Sequence, residues 1–102
     1  MKNLVIIIHA GAQQDLSDLL RSLQPVQGFT FTSVEGHGVQ SKQDISLSAR
    51  DKVVGYVPRI RVDILLEDED VKTVLSAIRS PKNGNFSSGI YWCLDVQEFS
   101  RL

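Results

Sequence analysis

Arg59 to Ile78 runs R-I-R-V-D-I-L-L-E-D-E-D-V-K-T-V-L-S-A-I, and two different repeats meet inside it. Ile60, Val62, Ile64 and Leu66 alternate with Arg59, Arg61 and Asp63, the period of two shown by a strand whose faces meet different surroundings. From Val71 onward the apolar residues are Val71, Val74, Leu75 and Ile78, a spacing of three and four that makes one stripe on a helix. Glu67, Asp68, Glu69 and Asp70 stand between the two patterns. They bring negative charge to the helix start, where unpaired amides and the dipole favour it. The stretch therefore predicts a strand feeding directly into a helix, which Pro81 and Gly84 bring to an end.

Upstream, the same order of elements occurs once more. Leu4, Val5, Ile6, Ile7 and Ile8 form an apolar run without alternation, the mark of a central strand covered on both faces. Ala10, Gly11 and Ala12 break it, and Leu16, Leu19, Leu20 and Leu23 then place a stripe on a helix that stops before Pro25. Gly28 to Val34 alternates aromatic and hydroxyl residues as a second strand. Downstream, Ile90, Trp92, Leu94 and Val96 alternate with Tyr91, Cys93 and Asp95 as a fourth. The order is βαββαβ. With right-handed crossovers it folds as an α+β ferredoxin-like sandwich, a single domain over residues 1–102, with a long loop between strands 2 and 3.

Composition limits the function classes. Eleven basic side chains against twelve acidic ones give a formal charge of −1, which offers no bulk attraction to nucleic acid or anionic lipid. The run Leu4–Ile8 is far shorter than the roughly 20 apolar residues a spanning helix needs, so no direct membrane insertion is expected. Cys93 is the one cysteine and has no disulfide partner within the chain, which fits a reducing, cytoplasmic compartment. Two helices cover one face of a four-stranded sheet, and the apolar side chains of the other face must be buried against something, most simply further copies of the chain. Between Glu35 and Tyr56 polar residues dominate, and a loop of this length inside a compact domain tends to carry function. Ser41, Lys42, Gln43, Asp44, Ser46 and Ser48 supply little apolar area, so Val39 to Val53 is expected to move freely without a partner.

Particular residues resemble a family. Gly28 to Gly38, G-F-T-F-T-S-V-E-G-H-G, is similar to the second strand and glycine turn of the nitrogen-regulatory PII signalling proteins, and the segment from Val54, V-G-Y-V-P-R-I-R-V-D-I-L-L-E-D, aligns with theirs without a gap. Ala77-Ile78-Arg79, the Gly84 to Gly89 loop and the Tyr91 to Glu98 strand continue the similarity. The resemblance implies a PII-like regulatory homotrimer in which Val39 to Val53 engages a partner protein, a transporter or its regulator, through Lys42, Asp44, Leu47, Arg50 and Lys52. It also implies an effector cleft between subunits, with Thr30, Gly36, His37, Gly38, Gln40, Arg59, Gly89 and Arg101 as ligand-binding positions.

The departures are specific. Val39 stands where the family has an arginine, and Ile90 where it has a phosphate-binding lysine. At roughly 1.5–3 kcal/mol for each hydrogen bond to a charged group, their loss weakens nucleotide binding by orders of magnitude, so the implied effector is a weakly bound adenine nucleotide or a divalent metal. Lys52 replaces a tyrosine that is uridylylated in some members, and Arg50 a serine phosphorylated in others, which points to the divergent PII-like branch associated with metal efflux transporters.

His37, between two glycines, is the candidate metal ligand, and a neighbouring reading is a divalent-metal tolerance protein of the CutA type using His37 with Cys93 or His9. The blander readings are an exposed turn residue for His37, a packed strand-end residue for His9 and a small buried hydrophobe for Cys93. No nucleophile with a base, and no carboxylate pair joined by a motif, is visible, and a binding protein rather than an enzyme is expected.

Overall fold

The computed structural model describes residues 1–38 and 56–102. Strand β1 (Lys2–His9) leads through a short turn of 3-10 helix into helix α1 (Gln13–Ser22), followed by β2 (Thr30–Gly36). Beyond residues 39–55, β3 (Val57–Leu66) passes through a second 3-10 turn, Asp68–Asp70, into α2 (Val71–Arg79), and β4 (Ile90–Asp95) completes the sheet. The sheet order is β2-β3-β1-β4, and all three neighbouring pairs are antiparallel. This is the ferredoxin-like α+β arrangement expected from the βαββαβ order.

Register decides which side chain faces which layer. Leu4, Ile6 and Ile8 pair with Ile64, Val62 and Ile60, and these six meet Leu16, Leu19 and Leu20 of α1 and Val74 and Ile78 of α2 in one core. The intervening residues, Val5, Ile7 and His9 on β1 and Arg59, Arg61 and Asp63 on β3, point to the open face. That explains why β1 lacks alternation: Val5, between Asp63 and Trp92, is as completely buried as Leu4.

Strand β2 begins at Thr30 and runs to Gly36, later than the Gly28–Val34 read from the sequence. Phe29 and Phe31 still meet edge to face, with ring centroids 5.4 Å apart. The acidic run does precede α2, but no carboxylate in it caps the helix. Asp68 instead accepts a hydrogen bond from the Met1 ammonium at 2.8 Å. That contact holds its carboxyl below the usual aspartate range.

Strand β4 departs from the expectation that Cys93 is a small buried hydrophobe. All six of its residues are exposed and none belongs to the core. Cys93 does face the helix side, paired with Leu4, yet it is exposed, because β4 is an edge strand and the helix layer does not cover it. On the opposite face Ile90 and Leu94 are 59% and 47% accessible and Trp92 is 38%. Together they form an apolar strip along the open side.

Candidate functional site

Four chain segments meet at one end of the sheet. β1 finishes at His9, β3 begins at Val57, β2 finishes at Gly36, and β4 begins just after Gly89. The register places Gly36 opposite Val57, Val34 opposite Arg59, Arg59 opposite His9, and Ile7 opposite both Arg61 and Ile90. This is the end from which the 39–55 segment leaves and to which it returns.

Arg59 is the centre of this end. It lies on the open face between His9 and Val34 and is only 7% exposed, an unusual burial for a guanidinium. Its side chain crosses Gly36: a Cβ on residue 36 would stand 2.6 Å from Arg59 Cγ, 3.0 Å from Nε and 3.3 Å from the Val57 carbonyl oxygen. Glycine at 36 is thus the condition for a long cation to lie flat against β2. On the other flank a Cβ at Gly89 would stand 2.9 Å from the Ile7 carbonyl oxygen and 3.1 Å from that of Phe86, while the Gly89 N–H donates to Phe86 O at 2.9 Å. The bare backbone at 89 lets the loop close onto β1.

His37 follows directly. Its Nε2 lies 3.3 Å from Glu35 Oε2, and its ring stands 5.7 Å from that of Tyr56, centroid to centroid. The imidazole and the Glu35 carboxylate are both mostly solvent-exposed. Tyr56 is the first described residue after position 38, so this contact brings together the described residues on either side of positions 39–55. Among the described residues no group of three or more His, Cys, Asp or Glu side chains is close enough to hold a metal ion. Cys93 faces the helix side near the Leu4 end of β1, away from His9, so these two do not converge.

The structure thus brings Gly36, His37, Arg59 and Gly89 to one end. Gly38 is near them, and among the described residues nothing lies within 4 Å of where its Cβ would be. Thr30 lies at the other end of β2, opposite Asp63, about 20 Å along the strand from Gly36 at 3.3 Å per residue, and within one chain it does not join the group. Arg101 is in the exposed tail after β4, which departs beside Met1 at the far end, with Val96 N–H donating to Met1 O at 3.1 Å. Gln40, Lys42, Asp44, Leu47, Arg50 and Lys52 lie outside the described residues, as does the expectation for Val39 to Val53. The sequence offers His9 as a packed strand end or, in the metal-tolerance alternative, as a partner of His37, and the pairing that sets it against Arg59 appears only once β1 and β3 are in register. Glu35 and Tyr56 lie within the two segments that carry the resemblance, but no role attaches to either from the sequence.

A further polar group occupies the middle of the open face. Arg61 donates to Asp63 through Nε at 3.0 Å and through a terminal nitrogen at 2.9 Å, and Asn3 Nδ2 donates to the same carboxylate at 3.2 Å. Those donors hold the Asp63 carboxyl below the ordinary aspartate value, chiefly through Arg61. The Arg61 guanidinium also lies 5.9 Å from the centroid of the Trp92 ring.

Comparison with known proteins identifies the family and the fold. The family model described as nitrogen regulatory protein P-II matches residues 1–102. Nitrogen regulatory protein P-II 2 of Methanothermobacter thermautotrophicus is 30% identical over 103 aligned positions, covering 100% of this chain and 89% of the relative. Nitrogen regulatory protein P-II of Rhizobium meliloti is 30% identical over 85% of this chain and 80% of its own. GlnK of Escherichia coli is 23% identical over 100% and 91%. A solved DUF3240 family protein from Shewanella baltica superposes with a TM-score of 0.76 over 99% of this chain and 94% of that one, at 18% identity, and shares the fold.

Proposed function

Given that the chain belongs to the nitrogen regulatory protein P-II family, we propose that it is a regulatory binding subunit whose effector sits at the sheet end built around Arg59. The observation that carries this reading is the close fit of Arg59 against Gly36, which places a nearly buried cation where β1, β2, β3 and the loop before β4 come together. A guanidinium so placed suits an anionic effector. Gly36 gives the stem of that arginine room to lie against β2, and Gly89 lets the loop backbone close onto β1 beside it. The 39–55 segment, rooted at His37 and Tyr56, is the arm that engages a partner protein, a transporter or its regulator, and effector occupancy at its root controls that contact. The effector is an adenine nucleotide bound weakly, because Val39 and Ile90 supply no charge to phosphate. The apolar strip of Ile90, Trp92 and Leu94 supports self-association into a homotrimer, the form in which Thr30 and Arg101 of neighbouring copies complete the cleft.

The test is titration calorimetry with ATP and ADP on the purified oligomer. The expected ATP dissociation constant is on the order of 100 μM or weaker, with a further loss of about tenfold in Arg59→Gln that Arg59→Lys largely restores. Undiminished nucleotide binding in Arg59→Gln, or no binding of either nucleotide at about 10 mM, would remove Arg59 from the effector site.

A further inference from the structure

The helix side of β4 carries a second hollow, which adjoins the Arg59 site at Gly89. A cavity of about 270 Å³ opens between α2, β4 and the loop joining them. Its walls are Ile6, Leu75, Ile78 and Phe86, and Arg79 and Tyr91 stand among its polar lining. An adjoining hollow of about 540 Å³ shares Ile78, Arg79 and Phe86 with it. Ile6 points into the helix layer while His9 and Arg59 belong to the open face, so the cavity and Arg59 lie on opposite sides of the sheet, although Gly89 and Ile90 also line the cavity.

Its chemistry is one-sided. Ile6, Ile78 and Phe86 are all buried, Phe86 having turned in from the loop to close the core. The guanidinium of Arg79 donates to the Tyr91 hydroxyl at 2.9 Å and lies 5.0 Å from the centre of the Tyr91 ring. Stacking and hydrogen bond together hold the cation in one place, and an arginine has five N–H donors, of which that bond uses one. From Val71 to Tyr91 the chain carries Lys72, Arg79 and Lys82 and no aspartate or glutamate, although the protein as a whole is slightly acidic. At the end of α2, Ser80 N–H and Asn83 Nδ2 both donate to Ala77 O, satisfying that helix-end carbonyl.

We propose that this cavity binds a small apolar monocarboxylate, its branched or aromatic body between Leu75, Ile78 and Phe86 and its carboxylate on Arg79. An apolar wall with one or two convergent polar groups is the usual form of a small-molecule site, and the volume lies just under the roughly 300–1,000 Å³ of drug-sized pockets. The planar fork of a fixed guanidinium matches a carboxylate in two parallel hydrogen bonds. A neutral ligand of the same shape forgoes that pairing.

Phenylacetate is the probe, with phenylacetamide as its neutral counterpart, in calorimetric titrations of the intact oligomer. Phenylacetate is expected to bind at least tenfold more tightly than phenylacetamide. Arg79→Gln is expected to abolish that preference, Arg79→Lys to keep part of it, and Leu75→Trp to exclude both compounds by filling the space. Arg59→Gln is expected to leave phenylacetate binding unchanged, which separates this site from the nucleotide cleft. Equal binding of acid and amide, a preference that survives Arg79→Gln, or no saturable binding of phenylacetate up to about 10 mM would overturn the proposal.

Discussion

Arg59 and Gly36 occupy one space: the aliphatic stem of the arginine lies where a side chain at residue 36 would be, with 2.6 Å between Arg59 Cγ and the missing Cβ. The pair lies on neighbouring strands, Arg59 opposite Val34 and Gly36 opposite Val57, so each limits what the other can be. Gly36→Ala is therefore expected to destabilise the protein by about 1–3 kcal/mol, the usual cost of overpacking. In an Arg59→Ala background the same substitution is expected to cost well under half of that. A double-mutant cycle by denaturant unfolding measures the difference, and additive effects would show that Arg59 is not what excludes a side chain at 36.

The glycines of the loop and turn are not equivalent. Gly89→Ala drives a Cβ against two backbone oxygens, those of Ile7 and Phe86, which cannot swing aside as a side chain can. A loss of about 2 kcal/mol or more is expected. Gly38→Ala meets no described residue within 4 Å, and its effect on unfolding free energy is expected to stay within about 0.5 kcal/mol of neutral. Comparable losses at the two positions would contradict the packing described for Gly89.

Asp63 makes the stability depend on acid. Its carboxyl is held low by Arg61 and Asn3, so the folded state binds its proton less readily than the unfolded chain does. That contribution is fully present above the unfolded value, about 3.9, and disappears as the pH falls through the lower folded value. Asp63→Asn is accordingly expected to be less stable than the parent at pH 7, with the gap closing towards pH 2. Urea unfolding across that range tests it, and a gap independent of pH would assign the loss to packing alone.

The open face should govern assembly. Trp92→Asp or Leu94→Arg places a charge in the exposed apolar strip of β4, and light scattering is expected to show the parent at three times 11.4 kDa and the variants near 11.4 kDa. Secondary structure is expected to persist, because no β4 residue contributes to the core. Unchanged mass in both variants would move the subunit interface elsewhere.

The elements were determined by the sequence alone, because each is written in its own local repeat. The alternation of Ile60, Val62, Ile64 and Leu66 and the stripe of Leu16, Leu19 and Leu20 become, respectively, a strand and a helix facing one core. The glycine turn at Gly36 and Gly38 was also visible as composition, although only Gly36 is constrained by a neighbour. What a linear pattern cannot carry is register and layer coverage. The juxtaposition of Arg59 with His9 and Gly36 follows from strand pairing between residues about 20 to 50 positions apart, and their geometry exists only when the sheet has formed. The exposure of Cys93 has a different cause: alternation sets it on the face away from Trp92, but whether the helix layer reaches the edge strand is settled by how α1 and α2 pack over β1 and β3, a long-range outcome that no residue of β4 encodes.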